Sequence, residues 1–162
     1  MRNILLAAVA FCVLTAGTIN AQAQNKSVRA LLGFTQGAIH LGADFEMKKT
    51  NLYGLGGYFF MQTDDKDAAV SEVMALGANM PIHMLTDSNI DVYVAPGFGI
   101  AMVDTGLEDE TTFGPSLKIG ADYKVSATAK VGVQYSKYFN WMTDDITQSS
   151  FEYASAAATF AF

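Results

Sequence analysis

Between Val28 and Phe162 the sequence alternates with a period of two, and it does so in eight separate stretches. Successive side chains of an extended strand point to opposite faces, so this period predicts strands rather than helices. The spacing predicts strands over about Val28–Thr35, Ala38–Met47, Leu52–Gln62, Val73–Leu85, Ile90–Val103, Phe113–Tyr123, Ala127–Phe139 and Phe151–Phe162. Stretches rich in Gly, Asn, Asp, Ser and Thr separate them. These strands exceed the usual length of about 5–6 residues in soluble sheets. They match the roughly 9–11 residues that a strand needs to cross a bilayer.

The two faces of each strand differ in kind. In the seventh, Ala129, Val131, Val133 and Tyr135 alternate with Lys130, Gly132, Gln134 and Ser136. In the sixth, Leu117, Ile119, Ala121 and Tyr123 alternate with Ser116, Lys118, Gly120 and Asp122. The third is less regular, with apolar residues on both faces around Tyr58-Phe59-Phe60-Met61. A soluble sheet would turn the bulky apolar face inward, and eight such faces would compete for one core. A closed barrel in lipid turns that face outward and packs the small and charged residues inside. No backbone group can stay unpaired in hydrocarbon, so such a sheet has to close.

The connections alternate too. Those at Lys48–Asn51, Thr86–Asn89 and Lys124–Ser126 are short, and those at Thr63–Glu72, Asp104–Thr112 and Asn140–Ser150 are long. Only the hairpin around Gln36-Gly37 is short on the long side. The long connections hold ten of the chain's 16 acids against a single lysine, Lys66. Acids outnumber bases by 16 to 10, which argues against nucleic acid as a partner, because phosphate binding needs a basic stripe. Aromatic residues fall into two sets, as in interfacial belts. Phe45, Tyr53, Tyr123, Phe160 and Phe162 lie toward the short turns, and Phe34, Phe59, Tyr135, Phe139 and Trp141 toward the long connections.

The N-terminus predicts export. Met1-Arg2-Asn3 is basic, Ile4 to Leu14 is apolar, and Ala21-Gln22-Ala23 has the small-residue pattern of a cleavage site. Residues 1–23 are therefore read as a signal peptide and 24–162 as a single barrel domain. The one cysteine, Cys12, falls in the signal, so disulfides play no part in the mature chain.

With these features the chain resembles small eight-stranded bacterial outer-membrane barrels, the class of the OmpA barrel domain, OmpX and OmpW. The resemblance covers the whole mature chain. It implies an all-β, antiparallel, up-and-down transmembrane barrel in the outer membrane of a Gram-negative cell. Ala154, Ala156, Ala158, Phe160 and Phe162 share one face of the last strand. By the same resemblance Phe160 and Phe162 form the signal read by the barrel-assembly machinery, and the wall faces outer-membrane lipid and lipopolysaccharide.

The candidate functional residues lie on the inward parity. Arg29, Asp44, Glu46, Asp91, Lys118, Asp122 and Lys130 are expected to form a lumen charge network, since isolated buried charges are costly. Arg29, Glu46, Asp91 and Asp122 belong near the periplasmic end, with Lys118 and Lys130 deeper. His40 and His83 are the only histidines, both inward, and are read as hydrogen-bonded interior groups. A lipid-modifying barrel enzyme would need a His with a Ser and an acid in reach near the outer rim, and no sequence motif supplies that set. No Gly-rich phosphate loop or calcium loop is present, so no cofactor or metal is expected. Gly54, Gly56 and Gly57 sit within a strand and are expected to make room or allow curvature. The acidic connections could share divalent cations with lipopolysaccharide phosphates. The leading reading is an integral outer-membrane barrel with a structural or surface-interaction role and a narrow, charge-plugged lumen. Alternatives are a narrow channel for small solutes, a lipid-modifying enzyme and a soluble lipocalin-like ligand binder.

Overall fold

A computed structural model describes residues 25–35, 38–63, 72–85, 89–104, 109–141 and 150–162. The predicted signal peptide lies outside the described residues. So do Gln36-Gly37 and, among the acids of the long connections, Asp64, Asp65, Asp67, Glu108, Asp144 and Asp145.

The strands are β1 (Lys26–Thr35), β2 (Ala38–Lys48), β3 (Gly54–Thr63), β4 (Glu72–Asn79), β5 (Ile82–His83), β6 (Ile90–Asp104), β7 (Asp109–Lys124), β8 (Ala129–Phe139) and β9 (Ser150–Ala161). Sequence neighbours pair antiparallel, except that β4 and β5 do not pair with each other and both pair with β6. β9 returns to β1, with Val28 opposite Phe160 and Leu32 opposite Ala156. Lys26 and Phe162 exchange backbone hydrogen bonds of 3.1 and 2.8 Å at the end of that seam. The sheet is thereby closed, and no edge is left for water or lipid to satisfy.

β4 and β5 are one wall strand, so the barrel has eight. The sequence predicts an unbroken strand from Val73 to Leu85, whereas the ladder is interrupted at Met80-Pro81. The cause is local, because Pro81 has no N–H to give. The register is not disturbed: Asn79 faces Gly97 and Ile82 faces Val94. The Pro81 carbonyl still accepts from Gly54 N at 2.9 Å, and Met80 N donates to the Pro96 carbonyl at 2.9 Å.

Two further boundaries differ from expectation. The predicted long connection Asp104–Thr112 is mostly strand, since β6 and β7 pair as far as Asp104 opposite Asp109. Val103, Thr111 and Thr112 are β-branched and continue the alternation, so the hairpin extends past the point where acids suggest a loop. β8 starts at Ala129 rather than Ala127, because Ser126 Oγ accepts hydrogen bonds from Thr128 N (3.3 Å) and Ala129 N (3.0 Å) and folds that segment into a turn. Thr50 Oγ1 does the same for Leu52 N and Tyr53 N at 3.1 and 3.2 Å, which delays β3 to Gly54.

The wall is apolar on its outside. Phe34 is 69% exposed and Val133 64%, and Leu32, Ile39, Leu55, Leu76, Phe98, Ile119 and Val131 are exposed with them. A contiguous apolar surface on this scale is not tolerated in water. It is the surface a lipid-facing wall presents. Phe45, Tyr53, Tyr123 and Phe160 are exposed toward the short turns, and Phe34, Tyr135 and Trp141 toward the other end. Phe59, expected in the second belt, lies midway along β3.

Candidate functional site

The inward parity builds a continuous column of side chains. All seven residues of the predicted charge network point into the lumen, and six of them are buried. Lys130 is the partly accessible one. It sits one residue into β8, opposite Lys124 and Thr159. It is therefore at the short-turn mouth and not deeper, a correction to the predicted order. The turn held by Ser126 shortens β8 and brings Lys130 to the rim.

The charges separate into two groups. In the first, Arg29 donates from Nη2 to Asp122 Oδ2 at 2.6 Å and from Nε to Thr159 Oγ1 at 3.1 Å. Its other nitrogen lies 3.9 Å from Asp44 Oδ2, and Lys118 Nζ donates to Asp44 Oδ1. Two cations thus meet two carboxylates. Both cations also lie over aromatic faces, Arg29 at 4.2 Å from the Tyr93 ring centre and Lys118 at 4.1 Å from that of Tyr58. Such contacts strengthen when desolvated. Tyr93 is accommodated because β7 carries Gly120 beneath the ring, where any side chain would collide with it.

The second group lies nearer the mouth and contains a member that the sequence reading left out of the network. His83 Nδ1 is 2.7 Å from Asp91 Oδ1, and His83 Nε2 is 2.8 Å from Glu46 Oε1. Both ring nitrogens face carboxylate oxygens, so making both hydrogen bonds requires a proton on each. Lys130 Nζ donates to the other Asp91 oxygen. The chain Glu46–His83–Asp91–Lys130 is charge-balanced only when His83 is the imidazolium. Gly54 makes it possible, since a side chain there would strike the Glu46 carboxylate. This bears out room-making for Gly54. At Gly57 a side chain would meet only the Gly77 carbonyl oxygen, at an ordinary contact distance of 3.4 Å.

Above the charges the lumen is aromatic. Tyr58, Phe60, Tyr138, Phe151 and Tyr153 cluster with Val73, Val103, Ala75 and Ala101, all buried. Phe60 meets Tyr153 with ring centres 4.7 Å apart, and Tyr138 OH donates to the Gly99 carbonyl at 2.8 Å. Sequence reasoning missed this layer. Its signal was present as aromatics on the small-and-polar parity: Tyr58 and Phe60 in phase with Gly54, Tyr138 with Gln134, Phe151 and Tyr153 with Ser155.

His40 belongs to the same layer. Its ring stacks on Tyr153 at 3.9 Å, and its Nδ1 is 3.1 Å from Ser155 Oγ. The sequence offers His40 no nearby serine, yet β1 lies between β2 and β9 and places Gly33 between the two side chains. His40 is 1% exposed, and its Nε2 has no hydrogen-bond partner among the described residues. No carboxylate completes a triad on that nitrogen. Among the described residues no group of three or more His, Cys, Asp or Glu is arranged to hold a metal ion.

No protein-family model and no curated protein matches the sequence. Solved structures do match the fold. Neisserial surface protein A superimposes with a TM-score of 0.65 at 14% identity, over 85% of this chain and 94% of that one. The N-terminal β-barrel domain of OprF from Pseudomonas aeruginosa gives 0.64 at 12% identity, over 87% and 100%. The outer-membrane protein Ail of Yersinia pestis, in a phospholipid bilayer nanodisc, gives 0.58 at 10% identity, over 86% and 100%. The fold is that of small outer-membrane β-barrels.

Proposed function

We propose that the chain is an integral outer-membrane barrel with a structural or surface-interaction role, no catalysis and a lumen closed to solutes. The observation that carries this is the sorting of side chains across the wall. The exposed apolar face runs around the barrel, while Arg29, Asp44, Asp122 and Lys118 are buried and mutually paired inside. A lipocalin-like binder needs the opposite sorting. The closed lumen is supported by two consecutive layers of packed side chains, ionic and aromatic, in a barrel whose eight strands leave an interior about wide enough for side chains. Buried ion pairs resist transit because separating them leaves unpaired charges in a low-dielectric interior. The Ser155–His40 contact does not favour catalysis, since both groups are sealed between Tyr153 and the wall.

In this orientation the short turns are periplasmic and the acidic connections face outward. Outer-membrane lipid and lipopolysaccharide then surround the wall, and Phe160 with Phe162 serves recognition by the assembly machinery. The test is fractionation with a gel run before and after boiling, followed by planar-bilayer recording. The expected result is a detergent-extracted, heat-modifiable band and no conductance steps. Solubility without detergent overturns the membrane assignment, and discrete ion-conducting steps overturn the closed lumen in favour of a narrow channel.

A further inference from the structure

The short-turn mouth opens into a concave vestibule of about 370 Å³, at the lower end of the roughly 300–1,000 Å³ of small-molecule sites. Lys48, Lys124 and Lys130, all on the inward parity, line it, and among the described residues its lining includes no Asp or Glu. The lysines arrive from β2, β7 and β8, so the positive charge converges across the mouth. Ser27 and Thr128, both hydroxyl-bearing, lie among them.

Among the described residues the nearest acids are already engaged. Asp122 is held by Arg29, and Glu46 and Asp91 by His83, with Lys130 closing that chain. Lys48 has no ion-pair partner among the described residues, so the vestibule carries positive charge that the layer beneath does not neutralise. Like charges converging in a concave, partly desolvated site repel, and a bound anion relieves that repulsion. Ammonium groups interleaved with hydroxyl donors suit a ligand with several strongly accepting oxygens.

We infer that this vestibule is an anion site for a phosphate-bearing ligand, either a soluble phosphate compound or the phosphodiester of a lipid headgroup. The site stands on the mouth's own geometry, and only its lipid source depends on the membrane assignment.

The test uses the full folded chain in a maltoside detergent without phosphate buffer, read by backbone-amide NMR. One arm titrates pyrophosphate, the other dihexanoyl phosphatidylglycerol, each against sodium chloride at equal ionic strength. Saturable shifts at Lys48, Thr128 and Lys130 are expected in at least one arm. Pyrophosphate binding identifies a soluble source, and binding of the lipid alone identifies a headgroup. In the Lys48→Gln variant the affinity should fall about tenfold, since a charge-assisted hydrogen bond is lost. The variant's heat-modifiable band verifies folding and separates loss of the site from loss of the barrel. Shifts in neither arm, shifts reproduced by chloride, or a folded Lys48→Gln variant with unchanged affinity each overturn the inference.

Discussion

The two halves of the lumen are filled by different physics. Near the short turns the buried cations depend on named partners: Arg29 on Asp122, Lys118 on Asp44, His83 on Glu46 and Asp91. Toward the long connections Phe60, Tyr138, Phe151 and Tyr153 rest on one another, and no single contact is indispensable. Paired charges are specific and unforgiving, because an orphaned ion cannot be rehydrated without opening the barrel. Aromatic packing is tolerant, because dispersion is spread over many weak contacts.

The sharpest way to break that comparison is to orphan a charge. Arg29→Ala should destabilise the barrel by about 3–5 kcal/mol, the cost of leaving a buried carboxylate uncompensated. Adding Asp122→Ala should recover part of that loss, since the pair couples. Urea titration of the folded band in detergent measures both, and strictly additive losses would contradict the pairing.

A comparable loss, about 3–5 kcal/mol, is expected for Phe60→Ala from lost transfer energy and the cavity left behind. The difference lies in rescue. Phe60→Leu should restore much of the stability, because leucine refills most of the cavity that alanine leaves. If Phe60→Leu is as damaging as alanine, the aromatic half is as partner-specific as the charged half. At the bottom of the scale, Lys137→Ala should leave the urea midpoint unmoved. Its partner Glu152 lies on the exposed outer side of β9, where ion pairs contribute little.

The parity of nearly every wall residue was readable, because alternation is a local property. Which face is inward followed from the same pattern, since Lys118, Asp122 and Lys130 share a parity with glycines and small polar residues. The members of the charge network were therefore identifiable by residue. Their pairing was not. Arg29 and Asp122 are 93 residues apart in the chain, and Lys118 and Asp44 are 74 apart. The Ser155–His40 contact spans 115 residues and passes over Gly33, so proximity in sequence gave no hint of it. Pro81 and Ser126 were visible as residues, yet the first stops the hydrogen-bond ladder without shifting the register and the second moves Lys130 to the rim.

Composition and alternation thus determined an eight-stranded wall, its lipid-facing side and the kinds of group sealed inside, since each depends only on the extended backbone's two-residue repeat. Tertiary structure decided which charges meet, that His83 bridges two carboxylates, that aromatics cluster in the upper lumen, and that lysines converge on an open mouth. These depend on how eight tilted strands are staggered when β9 closes on β1. That stagger is a property of the whole ring, so no single strand's sequence encodes it.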